Sequence, residues 1–229
     1  MKLIDNIIEL ATNNGTLTSV VLRNCLVLAY ELKNQRLKKW VNEELDGYAE
    51  SDLVPEYRHI RITAKGTFLG SFGAQINDQP LPSSTLKVEH RGWATNAILK
   101  EPIAAYEFVT DVNATLSIEW PPDLTAKYQK SFIDGYILNR AWQDIPAPAV
   151  IALVDTVRNR VLRFALEIKE ELGMAGEDIS AVSSDKIEQT VNIIIYGGNN
   201  MIAGKMDSSQ VQQGGEQAVM AQHSIPKEG

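Results

Sequence analysis

Residues 37–64 read LKKWVNEELDGYAESDLVPEYRHIRITA, and the hydrophobic period changes within them. Leu37, Trp40, Val41, Glu44, Leu45 and Tyr48 fall on one side of a helix, which repeats about every 3.6 residues. Gly47 supplies the position at which such a helix stops. Further on, Ile60, Ile62 and Ala64 alternate with polar neighbours, the period of about two that marks a half-buried strand. Helices before this point and strands after it predict an α+β fold.

Working outward, two more helices precede the quoted stretch. Ile4, Ile7, Ile8 and Ala11 form a stripe that Asn13-Asn14-Gly15 breaks. Leu17, Val21, Cys25, Leu28 and Leu32 form the next, with Thr16 or Thr18 as its cap and Asn34 as its stop. On the other side, Leu86-Val88-His90, Tyr106–Val109 and Leu116-Ile118-Trp120 read as further strands of a mostly antiparallel sheet. Gly66, Gly70 and Gly73 around Phe68 and Phe72 suggest a bulge or a close backbone approach, and Asn77-Asp78-Gln79-Pro80 a turn. Pro121-Pro122 opens a predicted helix that runs to about Trp142. After the break at Ile145–Pro148 comes a long helix, 149–172. Its Val150, Val154, Val157, Val161, Phe164 and Ile168 follow one another at spacings of 4, 3, 4, 3 and 4. That seam packs in the chain's own core or against a second copy. The expected organisation is a body over 1–174 with a three-helix unit, a central sheet and two C-terminal helices, then a linker, a short β-hairpin and a flexible polar tail over 175–229.

Composition narrows the chemistry. With 29 Asp and Glu against 22 Lys and Arg among 229 residues, the net charge of −7 disfavours a nucleic-acid partner. The N-terminus lacks a signal-peptide pattern, and no apolar run reaches the ~18 residues of a membrane span. The single cysteine, Cys25, rules out an internal disulfide framework and fits a cytoplasmic setting; on the buried face of its helix it reads as a small hydrophobe. His59, His90 and His223 stand apart in sequence, outside any ligand spacing, so neither a metal nor a cofactor is assigned. Gly197-Gly198-Asn199-Asn200 lacks the Lys-Ser/Thr of a phosphate loop. Glu43 and Glu44 point about 100° apart and read as a solvated face. The mixed charges around Arg158, Arg160 and Arg163 read as an exposed side of the long helix with some capacity for an anion. No catalytic residue emerges.

The C-terminal part stands out. Val191–Tyr196 is uncharged, rich in β-branched residues and flanked by polar sequence, and it reads as a strand of a hairpin completed near Met201. A lone hairpin is marginal in water, so it needs another edge: its own body, a second copy or a partner. Val191, Ile193, Ile194, Ile195, Tyr196, Asn199, Asn200 and Met201 are therefore the candidate assembly residues.

Three blocks recur here in a recognisable order. They are Leu22-Arg23-Asn24-Cys25-Leu26, Trp40 followed by Glu44-Leu45-Asp46-Gly47-Tyr48, and Pro55-Glu56-Tyr57-Arg58. Together they resemble the AbiTii domain family over about residues 1–65, and the rest of the chain resembles it more loosely. The resemblance implies a setting in bacterial conflict and phage defence rather than a reaction. Arg23 and Arg58 are the motif residues that packing does not account for, and with Arg158 they are the candidate ligand or partner contacts. The expectation is a non-enzymatic cytoplasmic component of abortive-infection defence that self-assembles or meets a protein partner through its C-terminal β-segment. The alternative is a sensor or enzyme that takes a nucleotide-like ligand on these arginines.

Overall fold

A computed structural model describes residues 2–49, 53–175 and 182–197. The three N-terminal stripes form α1 (Lys2–Thr12), α2 (Thr18–Glu31) and α3 (Gln35–Asp46). Asn34 opens α3 rather than closing α2: its side chain accepts from the Leu37 amide at 2.8 Å. Neither Thr16 nor Thr18 caps α2. The Glu107 carboxylate does so from elsewhere in the chain, taking the Ser19 amide at 2.6 Å and its hydroxyl at 2.9 Å. Gly47 ends α3 at φ 90°, and a Cβ there would lie 2.9 Å from the Lys100 carbonyl oxygen.

The sheet region holds β1 (His59–Arg61), β2 (Thr63–Gly70), β3 (Gln75–Pro80), a helical turn α4 (Gly92–Thr95), β4 (Asn96–Ile98) and β5 (Thr115–Glu119). After the short α5 (Pro122–Lys127) comes β6 (Tyr136–Pro146), which runs straight into α6 (Ala147–Ala175). All pairings are antiparallel: β1 with β4, and a four-stranded sheet in the order β3-β2-β6-β5. Gly66 sits where β2 bulges, and a Cβ there would meet the Arg140 carbonyl oxygen at 2.9 Å. The α+β class and the N-terminal helices are as the sequence predicts.

Asn77–Pro80 pairs with β2 as part of β3 instead of forming a turn, and four larger expectations change. Residues 136–142 are the central strand, not the end of a helix, because Asn139 is an extra residue opposite β2, where Thr67 faces Arg140 and Phe68 faces Leu138. The bulge leaves Leu138 and Ala141 buried three apart, a spacing that imitates a helix. Leu86–His90 is not a strand: Leu86 and Lys87 join two 3-10 turns, Ser83–Thr85 and Val88–His90; Leu86 is buried, Val88 is exposed, and the Tyr128 hydroxyl accepts from the Lys87 amide at 3.1 Å. Tyr106–Val109 is a turn that presents Glu107 to α2 and leaves Phe108 exposed.

The fourth concerns Val191–Tyr196. Helix α7 (Ser184–Thr190) continues into a π-helical turn, Val191–Ile195, closed by the Tyr196 amide on the Val191 carbonyl at 3.3 Å. Ile187, Val191 and Ile195 recur every four residues and are all buried. Tertiary packing thus overrides the β preference of the Ile run. The partner strand near Met201, with Asn199 and Asn200, lies outside the described residues.

Two cores result. The larger joins α1, α2, α3 and α6 to Val182, Ile187, Val191 and Ile195, so the last described segment belongs to the body's own interior. Every member of the α6 seam except the half-buried Val154 is buried there. Burial within it pushes the Cys25 thiol up to about 12, which leaves it protonated and inert. The smaller core lies on one face of the four-stranded sheet around Phe68, Leu86, Trp120 and Tyr128. No helix among the described residues is long and apolar enough to cross a membrane.

Candidate functional site

Residues of the second and third family-like blocks converge on one buried carboxylate. Trp40 and Glu44 share a face of α3, Tyr48 follows one turn later, and the 3-10 turn Glu56–Arg58 lays Tyr57 and Arg58 against them. The Tyr48 and Tyr57 hydroxyls each donate to Glu44 Oε1 at 2.7 Å. The Trp40 indole donates to the Tyr57 hydroxyl at 2.8 Å. Arg58 presents its Nε–Nη2 edge to the same carboxylate, at 3.2 Å and 2.7 Å, and spends Nη1 on the carbonyls of Leu99 at 2.5 Å and Glu101 at 3.0 Å. Its guanidinium also lies 4.7 Å from the centroid of the Tyr48 ring.

The side chains of Glu44 and Arg58 are 0% exposed. Burial works against the charge of Arg58, but the Glu44 hydrogen bonds and charge outweigh it and hold the guanidinium above its usual range. Burial first, and then the Glu44 charge, raise both tyrosines far above the normal phenol range. Arg58 is therefore part of the interior, contrary to its reading as a residue without a packing role, and Glu44 is not on a solvated face. Glu43 pairs instead with Lys39 at 3.3 Å.

The other two candidate arginines lie apart from this cluster. Arg158 donates to the Thr18 hydroxyl at 3.2 Å, to the Asn13 carbonyl at 3.0 Å and to the Thr16 carbonyl, so it fastens the α1–α2 loop to α6. Arg23 is exposed on α2 and makes no hydrogen bond or ion pair among the described residues.

A pocket of about 380 Å³ with arginines in its lining lies between α6 and the π turn. Thr156, Asn159, Arg160 and Arg163 line it from the helix; Ile193, Ile194 and then Gly197 line it from the other side. Arg160 Nη1 donates to the carbonyls of Ile194 at 2.5 Å and Ile195 at 2.6 Å, at the end where a helix leaves its carbonyls unpaired. Its guanidinium lies 4.6 Å from the centroid of the Tyr57 ring, so one tyrosine touches both the Glu44 cluster and the pocket wall.

Arg36 secures the same segment from α3. It pairs with Glu188 at 2.8 Å, reaches Asn192 at 3.4 Å and lies over the Tyr196 ring at 4.6 Å. Of the candidate assembly residues, Val191 and Ile195 are interior, Ile194 and Tyr196 are half-buried, and Ile193 is 56% exposed at the pocket's rim. Sequence reasoning placed Arg160 and Arg163, with Arg158, on a charged helix side with some capacity for an anion, but did not single them out as site residues. Their position three apart on α6, and so on neighbouring faces, was the available signal.

Among the described residues no His, Cys, Asp and Glu cluster could hold a metal ion. A family model, AbiTii, matches residues 2–194, which takes in all the elements above but the last turn. No curated protein and no solved structure matches the chain.

Proposed function

The chain belongs to the AbiTii family, whose name marks abortive-infection defence against phage, and on that premise we propose that it serves this defence as a cytoplasmic binding component without chemistry of its own. Its working surface is the face shared by α6 and the segment 184–197. A protein partner, a second copy of the chain included, meets the segment there. One observation carries this reading: Arg163 and Ile193, both exposed, flank a pocket on a segment that Arg36 and Arg160 clasp to the body by polar contacts. Exposed apolar and arginine side chains side by side are what interfaces favour.

The test is phage protection in a susceptible bacterial host that expresses the full chain. Ile193→Asp and Arg163→Glu should abolish protection while leaving the melting temperature unchanged, since both side chains are exposed. Arg140→Ala, on the far sheet, where the exposed side chain pairs with the exposed Glu119 and lies over the Trp142 ring, should protect as the wild type does. Full protection by both face variants would remove the reading.

A further inference from the structure

We propose that the pocket between α6 and the π turn binds the phosphate group of a small ligand, with Arg160 and Arg163 as its cationic contacts. The chain supplies its own reference for what Arg160 is built to do. Arg58 gives Nη1 to two backbone carbonyls, stacks on a tyrosine and offers its Nε–Nη2 edge to a carboxylate. Arg160 gives Nη1 to two backbone carbonyls and stacks on a tyrosine as well. Its Nε–Nη2 edge finds no acceptor among the described residues, and Nε is a buried donor without a partner. That edge is the planar fork that matches carboxylate and phosphate oxygens.

A buried donor without an acceptor costs free energy, and an arginine has no neutral form in which to escape the cost. An oxyanion at the fork offsets it. Arg163, exposed on the adjoining helix face, adds a second positive charge at the same pocket. No carboxylate lies within ion-pair range of either guanidinium among the described residues; Glu167, one turn beyond Arg163, makes no such contact. The Asn159 amide supplies a neutral donor, whereas the Thr156 hydroxyl is spent on the Ala152 carbonyl at 2.7 Å.

Two features set the kind of ligand. Paired arginines with a neutral amide suit a tetrahedral dianion better than a single carboxylate, because more oxygens need donors. The volume of about 380 Å³ exceeds what one phosphate needs and falls within the range of small-molecule sites, and Ile193 and Ile194 give the remainder an apolar wall. Nε is covered, so an anion meets Nη2 and Arg163 first. In its role in defence the inference rests on the proposed working face; the binding itself rests on the geometry.

The experiment is calorimetric titration of the full chain at constant ionic strength with inorganic phosphate, adenosine 5′-monophosphate and adenosine. Both phosphate-bearing probes should bind and adenosine should not. Tighter binding of the monophosphate assigns a phosphorylated small molecule, and equal affinity assigns free phosphate. Arg163→Gln, which removes an exposed side chain that makes no hydrogen bond or ion pair among the described residues, should weaken binding about tenfold or more. Arg160→Lys keeps the charge but loses the fork, and should weaken it by a similar factor. Binding of neither phosphate probe, adenosine binding as tightly as its monophosphate, or unchanged affinity in both variants would each overturn the proposal. Lost protection in the face variants with no phosphate binding would sink the ligand class and keep the working face. Phosphate binding with intact protection would do the reverse.

Discussion

Arg58 and Arg160 sit in seats of the same design and differ in one element. Each lies on a tyrosine ring and spends Nη1 on two backbone carbonyls. Arg58 then meets Glu44, both side chains fully buried, within a hydrogen-bond network of Trp40, Tyr48 and Tyr57. Arg160 meets a pocket. A guanidinium whose counter-charge is built into the chain is architecture: it fixes α3 against the entry to β1 and needs nothing from outside. One whose counter-charge is missing among the described residues has affinity left over. The comparison also explains why the family-like motif looked functional in sequence. Its polar residues are where functional residues are usually sought, yet here they neutralise one another inside the fold.

The largest test of this contrast strands a buried charge. Glu44→Gln preserves the shape of the side chain but leaves Arg58 without its anion, and removing one partner of a buried pair costs about 3–5 kcal/mol. Against a total stability of about 5–15 kcal/mol, the urea midpoint should fall steeply, and a loss below about 1 kcal/mol would mean that the pair is not what holds this junction. Arg160→Met should cost less, about 1–2 kcal/mol by the same measurement. It frees two helix-end carbonyls that water can reach but strands no carboxylate. Equal losses in the two variants would erase the distinction between the seats.

What could be read from the sequence follows the same division between local and distant causes. The stripes of α1, α2, α3 and α6 were legible because each helix buries one uninterrupted face, as Ile4, Ile7 and Ala11 do, and as Val157, Val161, Phe164 and Ile168 do. β6 was not, because the extra Asn139 breaks its alternation. The run at 191–196 was misread from its residue types; including Ile187 reveals the four-residue spacing that the core enforces. In the site, the Glu44–Tyr48 contact joins the last turn of α3 to the residue just past its glycine stop, four positions on, and could have been foreseen. That Arg160 would cap carbonyls 34 and 35 residues away follows only from how α7 docks on α6.

The finest test separates the two seats at the residue they share. Tyr57 gives its hydroxyl to Glu44 and its ring to Arg160, so Tyr57→Phe edits one seat and spares the other. In the folded chain the phenol is held well above its ordinary value of about 10, by burial first and the Glu44 charge second. Above that value the unfolded chain releases the proton that the folded chain keeps. The folded state then binds more protons, and stability falls as pH rises, by about 1.4 kcal/mol per pH unit for each such tyrosine. Tyr48 carries a raised value for the same two causes and contributes a second share. Urea titrations between about pH 9.5 and 11 should therefore show a shallower alkaline decline for Tyr57→Phe than for the wild type, by close to one share. Phosphate affinity at neutral pH should stay unchanged, because the ring beneath Arg160 remains. Parallel declines would place the tyrosine outside the Glu44 cluster, and a changed affinity would show that the two seats are one unit after all.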